Sequence, residues 1–212
     1  MAIRIIIADD ADLVISGAQQ VLDNHYRFRV SGTARSMNQL KTEINLHQPD
    51  VVLISEWIHN IDILSAVDQI QTLSPEVKII VMGGLADGLL IRDLFGYGVK
   101  GYLYKSDDLC ELLPIAVETV MIGRLYLSPT ANSEFLITSH NPYPHQALEI
   151  EDRQVLQMLA HGDEVGEIAE QLNVSLRHIY WVREKLRSRF GARTNEHLIQ
   201  RAIVEGFIYP RE

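Results

Sequence analysis

Two sets of residues in this sequence are equipped for chemistry. The first is spread along the chain: Asp9 and Asp10 follow the apolar run IRIIIA, Ser55 ends the run in PDVVLISEW, and Lys105 closes GYLYK. Adjacent carboxylates repel one another, and a lysine across a crevice offsets that repulsion, so Asp9, Asp10 and Lys105 read first as a structural ion cluster. The Ser55 hydroxyl is a weak nucleophile at neutral pH, and no general base is evident beside it. Successive strand side chains point to opposite faces, which aims Glu56 away from Asp9 and Asp10. The second set is concentrated: Arg177, Arg183, Lys185, Arg187, Arg189 and Arg193 stand within seventeen positions against one acid, Glu184. The whole chain carries a formal charge of −9, and residues 1–128 hold 10 Lys+Arg against 16 Asp+Glu. An acidic body with one basic segment implies two domains with different partners.

The elements that must position the first set alternate strictly. IRIIIAD, RFRVSGTA, DVVLIS, VKIIVMG and KGYLYK read as buried strands, each followed by a helical pattern, the second helix opened by Ser36. Five strand and helix pairs in this order predict an α/β fold with a doubly wound, five-stranded parallel sheet, because parallel strands need crossover helices. Such sheets place their functional crevice at the carboxyl ends of the strands, where Asp9, Asp10, Ser55, Gly83 and Lys105 fall. From Leu127 to Ala147 the pattern dissolves into Pro, Ser, Asn and His, which reads as a linker. From Leu148 onward the chain looks helical throughout. Gly162 and Gly191 stand where C-terminal caps are wanted, and Ser175 stands where an N-cap is wanted. The expected domains are 1–127, a linker at 128–147, and a small all-α four-helix domain at 148–212.

Composition excludes several classes. No apolar run reaches the roughly 20 residues of a membrane span, and MAIRIIIADD is too soon acidic for a signal peptide, so a cytoplasmic protein is expected. The single cysteine, Cys110, allows no internal disulfide and no thiol cluster, and reads as a small residue in or near a core. GGLADG is glycine-rich but matches neither the P-loop nor the dinucleotide fingerprint. No enzyme and no cofactor is expected.

With these motifs in order, nearly the whole chain resembles response regulators of the NarL/FixJ group, in which a receiver domain is joined to a LuxR-type helix-turn-helix. The resemblance implies that Asp9 and Asp10 stand where the family holds Mg²⁺, that Lys105 is the family's lysine after the fifth strand, and that Tyr102 is its aromatic switch residue. It also implies that Ser55 occupies the position of the phosphoacceptor aspartate, and Gly83 that of the Ser/Thr drawn toward the phosphoryl group. Phosphotransfer needs an ionised carboxylate in line with phosphorus. Asp9, Asp10, Ser55, Gly83, Tyr102 and Lys105 therefore read as a degenerate phosphoacceptor pocket, and Tyr102 as a packing residue. Weak Mg²⁺ binding at Asp9 and Asp10 is the alternative to the ion cluster, as is reuse of the pocket by a small ligand or partner protein.

LEIEDRQVLQMLAHGDEVGEIAEQLNVSLRHIYWVREKLRSRFGAR is similar to the LuxR-type pattern, with a recognition helix from about Leu176 to Phe190. By that resemblance Tyr180, Trp181 and Glu184 face base edges in the major groove. Arg177, Arg183, Lys185, Arg187 and Arg193 are assigned to phosphates. Leu198, Ile199, Ala202 and Ile203 form a helical stripe, read as a homodimer surface that would require an inverted-repeat site on double-stranded DNA, with core packing as an equal explanation. The reading is a DNA-binding transcriptional regulator with an atypical, phosphorylation-independent receiver. The competing reading is a protein-interaction adaptor without sequence-specific DNA binding.

Overall fold

Strand β1 (Ile3–Ala8) is apolar on both faces because both faces are covered, and Ile5, Ile6 and Ile7 are fully buried. The computed structural model describes residues 2–58, 61–84, 86–140, 148–205 and 207–208. The chain divides into two units, Met1–Pro142 and Tyr143–Glu212.

In the first unit, β1 is followed by α1 (Asp12–Asp23), β2 (Phe28–Ala34), α2 (Met37–His47), β3 (Val51–Ser55), α3 (Ile63–Leu73), β4 (Lys78–Gly83), α4 (Gly88–Gly96), β5 (Gly101–Tyr104) and α5 (Leu109–Met121). The strands pair in parallel in the order β2-β1-β3-β4-β5-β6, the sixth being described below. The period of two splits the strands between two cores. Ile6, Ile54 and Val81 share one core with Tyr102, while Ile7, Leu53 and Met82 share the other. Ser36 caps α2 as expected, its hydroxyl accepting from the Gln39 amide at 3.3 Å. Cys110, expected in or near a core, is exposed in the first turn of α5.

The sheet has six strands where five are expected, and part of the expected linker is ordered. Tyr126–Leu127 forms β6, parallel to β5, and Pro129–His140 forms helix α6. The cause is the open edge of β5. The Ser128 amide donates to the Tyr102 carbonyl at 3.0 Å, and the Tyr104 amide donates to the Ser128 hydroxyl at 2.9 Å, satisfying backbone groups that an edge leaves bare. Pro129 suits the start of a helix, and the Asp107 carboxylate accepts from the Thr130 hydroxyl at 2.6 Å and its amide at 3.2 Å. Helix α6 packs on α4 through the Phe95–Phe135 ring pair, 5.9 Å between centroids. A side chain at Gly88 would strike Thr138 and the Glu134 carbonyl, so glycine there permits the close approach. Residues 141–147 of the expected linker lie outside the described residues.

The second unit contains α7 (Ile150–His161), α8 (Val165–Gln171), α9 (Leu176–Arg189) and α10 (Asn195–Val204) around a core that includes Val155, Ile168, Ile179, Leu186 and Phe190. Gly162 and Gly191 adopt positive φ of 89° and 61°, the left-handed conformation that ends helices. Ser175 caps α9 by accepting from the His178 amide at 3.2 Å. No helix among the described residues is long and apolar enough to cross a membrane.

Candidate functional site: the receiver crevice and the helix-turn-helix face

The strand ends bring Asp9, Ser55 and Lys105 together. Lys105 follows β5, and its amide donates to the Gly83 carbonyl at 2.8 Å, which holds it at the crevice. Its ammonium donates to Asp9 Oδ2 at 2.8 Å and to Ser55 Oγ at 2.9 Å. Asp9 Oδ1 accepts from the Ala11 amide at 2.9 Å, so both oxygens of this fully buried carboxylate are engaged. Asp10 is exposed and makes no hydrogen bond or ion pair among the described residues. Lys105 thus balances one buried carboxylate, not a repelling pair. These donors do not fit a divalent cation: Asp9 is spent on an ammonium and a backbone amide, and Ser55 offers a neutral hydroxyl where a hard cation wants a carboxylate. Among the described residues no group of three or more His, Cys, Asp or Glu is suited to a metal ion.

A second cluster lies beside this one, on the other face of β3. Glu56 shares the side of Ile54, and Gly83 shares the side of Val81, which pairs in register with Tyr102. Glu56 is buried, and its Oε2 accepts from the Gly84 amide at 3.1 Å and from the Tyr102 hydroxyl at 3.3 Å. Tyr102 has no solvent exposure. A Cβ built on Gly83 would overlap the Tyr102 hydroxyl and approach Glu56 Oε2 to 2.7 Å. Burial first, and then the adjacent Glu56 carboxylate, push the Tyr102 phenol well above its ordinary value, so it remains a neutral donor. Sequence reasoning assigned Tyr102 to packing but missed its partner. Only half of the signal was available: Glu56 stands one residue past Ser55 and so on the opposite face of β3, but its meeting with Tyr102 follows from the strand register.

In the second unit, α8 and α9 form the helix-turn-helix pair. Ile179, Val182 and Leu186 bury one stripe of α9, which leaves Arg177, Tyr180, Trp181 and Glu184 on the exposed side. Arg183 lies over the Tyr180 ring at 4.9 Å and Lys185 over the Trp181 ring at 5.4 Å, which fixes both aromatics against the helix.

Three of the expected roles meet competing contacts within this unit. Lys185 is committed to α7, its ammonium 2.8 Å from Glu149 and 2.9 Å from the buried carboxylate of Asp152. Those carboxylates, Glu149 foremost, hold the Lys185 ammonium above its ordinary value. Arg187 pairs with Glu184 at 2.9 Å and donates to Asn195 at 2.8 Å. Of the basic candidates, Arg177 and Arg193 are exposed and make no ion pair among the described residues. In the dimerisation stripe, Leu198 and Ala202 are fully buried in the core of this unit, with Ile199 and Ile203 packed against it, because α10 has to close that core.

Residues 5–116 match the family of the response regulator receiver domain, and residues 150–202 match the bacterial regulatory proteins of the luxR family. The chain belongs to the response regulators. Among relatives, it is 26% identical over 208 residues to the response regulator UvrY of Escherichia coli K12, covering 96% of this chain and 95% of that one. It is 24% identical over 210 residues to the response regulator GacA of Pseudomonas aeruginosa, covering 97% and 98%. Among solved structures it is similar to RcsB of Salmonella enterica serovar Typhimurium, bound to a promoter in the presence of the phosphomimetic BeF3−. That similarity has a TM-score of 0.76 at 20% identity over 95% of this chain and 98% of that chain. This response regulator thus carries a parallel α/β receiver and a helical LuxR-family domain in one chain.

Proposed function

We propose that this response regulator is a sequence-specific, DNA-binding transcriptional regulator whose receiver works without phosphorylation. The observation that carries the reading is the state of the crevice. Ser55 occupies the acceptor position and its hydroxyl is paired with Lys105, while Tyr102 already fills the space beside Gly83. In a receiver of the ordinary kind a phosphoryl oxygen draws a Ser/Thr hydroxyl inward and the aromatic ring follows. Here glycine has no hydroxyl to be drawn, and the ring is held inward by Glu56. The exposed face of α9 and the turn after it serve DNA: Tyr180, Trp181 and Glu184 face the bases, and Arg177 on α9 and Arg193 beyond it meet phosphates, with Arg183 stacked beside them. RcsB is seen as dimers on DNA in one solved structure, and by analogy a homodimer of this cytoplasmic protein reads an inverted repeat.

The test is selection from a randomised duplex pool by the purified, unmodified protein, followed by fluorescence anisotropy on enriched duplexes across a range of salt. Sequence-selective binding with a steep salt slope is the expected result. Absence of any enrichment would favour a protein-interaction adaptor. One observation points that way: Lys185 and Arg187 are spent on partners inside the unit.

A further inference from the structure

Glu184 is an unexpected residue for a surface meant to approach a polyanion. It lies two residues past the buried Val182, a turn of about 200° at 100° per residue, which places it opposite the core stripe of α9. Its side chain is 61% exposed. The carboxylate is nevertheless held in place. Arg187 Nη1 donates to Glu184 Oε1 at 2.9 Å, and Arg183 Nη2 stands 3.6 Å from the same oxygen. Arg187 is itself fixed, because its Nη2 donates to Asn195 Oδ1 at 2.8 Å from the start of α10. Oε2 accepts no hydrogen bond among the described residues. Two guanidiniums therefore offset the charge of Glu184 and orient it, while one carboxylate oxygen is left presented to the outside.

We infer that Glu184 is a specificity-determining residue that selects cytosine, its Oε2 accepting from the exocyclic amine on the major-groove edge; this rests on the DNA-binding reading above. The choice follows from the donors and acceptors that the bases offer. Guanine presents N7 and O6, and thymine presents O4, so each turns a lone pair toward the carboxylate and is repelled. Adenine has an amine, but N7 stands beside it and opposes the carboxylate. Cytosine presents an amine with no acceptor next to it on the same base. Arg187 and Asn195 act as positioning residues, since they hold the rotamer and offset the carboxylate charge near phosphates.

The experiment is duplex selection with the wild-type chain, Glu184→Ala and Glu184→Gln, read as base preference at each position, with thermal melts to verify that all three fold. The wild type should enrich a C·G pair at one position of each half-site. Glu184→Ala should lose roughly tenfold discrimination at that position alone, and Glu184→Gln should shift it toward adenine, the base that an amide reads with two hydrogen bonds. A purely structural Glu184 would lower affinity evenly and leave base preference intact. Unchanged preferences in both variants, on a duplex that the wild type does select, overturn the inference while leaving the DNA-binding reading standing. If the wild type enriches nothing, both fail together.

Discussion

Tyr102 and Gly83 are fitted to one another: the Tyr102 hydroxyl fills the volume in which any Cβ at position 83 would stand. Glu56 completes the arrangement by accepting from that hydroxyl and from the Gly84 amide, which ties the end of β4 to the end of β3. Three residues from three adjacent strands thus hold an inward aromatic ring without any added group.

The fit predicts a strong coupling between the two positions. Gly83→Thr should destabilise the receiver by about 1–3 kcal/mol through overpacking against the buried Tyr102 ring. In a Tyr102→Leu background the same substitution should cost far less. A double-mutant cycle on urea unfolding measures the difference, and additive effects would contradict the fit.

On the proposed reading, a carboxylate placed at position 55 should not create a phosphorylation switch. Ser55→Asp, given Mg²⁺ and acetyl phosphate, should incorporate phosphate, because the new carboxylate supplies both the nucleophile and the anionic cation ligand that the crevice lacks, and it competes with Asp9 for Lys105. Its affinity for DNA should stay within about twofold on phosphorylation, since Tyr102 is inward beforehand and Gly83 has no hydroxyl to move. Intact-mass spectrometry follows the modification and anisotropy follows the affinity. A tenfold gain in affinity would show that the ring is not the limiting element.

On the proposed DNA-binding reading, exposure separates the arginines assigned to phosphates, Arg177 on α9 and Arg193 after it, from a lysine paired inside the unit. Arg177→Ala and Arg193→Ala should each lower the slope of log K against log salt by about 0.9. Lys185→Ala should leave the slope unchanged and instead destabilise the helical unit by about 1–3 kcal/mol, because the buried Asp152 carboxylate loses a donor. Salt titrations and thermal melts on the same three variants distinguish the two behaviours.

Helix α6 depends on Asp107. Burial opposes its ionisation, but hydrogen bonds from Ser128 and Thr130 outweigh that cost and hold the carboxyl below its ordinary value. A carboxyl lowered in the folded state stabilises above its unfolded value of about 3.9 and loses that contribution as pH falls through the lower folded value. Asp107→Ala should therefore cost roughly 1 kcal/mol at pH 7, as for a lost helix cap. The gap from wild type should close below about pH 4. Melting curves from pH 7 to pH 2 test this, and a gap independent of pH would refute it.

The sequence made the receiver legible because each strand is a short apolar run and each helix has its own period and caps. Asp9, Ser55 and Lys105 could be placed at one crevice because parallel strands end on the same edge of the sheet. Helix α6 was not legible: its apolar residues Leu136 and Ile137 are exposed, so the packing of Ala131 and Phe135 on the sheet and α4 leaves almost no periodic trace. The role of Glu56 depends on register between β3, β4 and β5, which composition does not reveal. Likewise Lys185 looks like any basic residue of a recognition helix until α7 supplies Glu149 and Asp152. A stripe such as Leu198 and Ala202 reads the same whether it faces a core or a partner.

Independence from phosphorylation is tested by the affinity of the full chain for a selected duplex before and after treatment with acetyl phosphate and Mg²⁺, by anisotropy at fixed salt. A receiver that works without phosphorylation gives one dissociation constant in both states, with no mass increase at Ser55. A gain of tenfold or more after treatment, accompanied by incorporated phosphate, would contradict it.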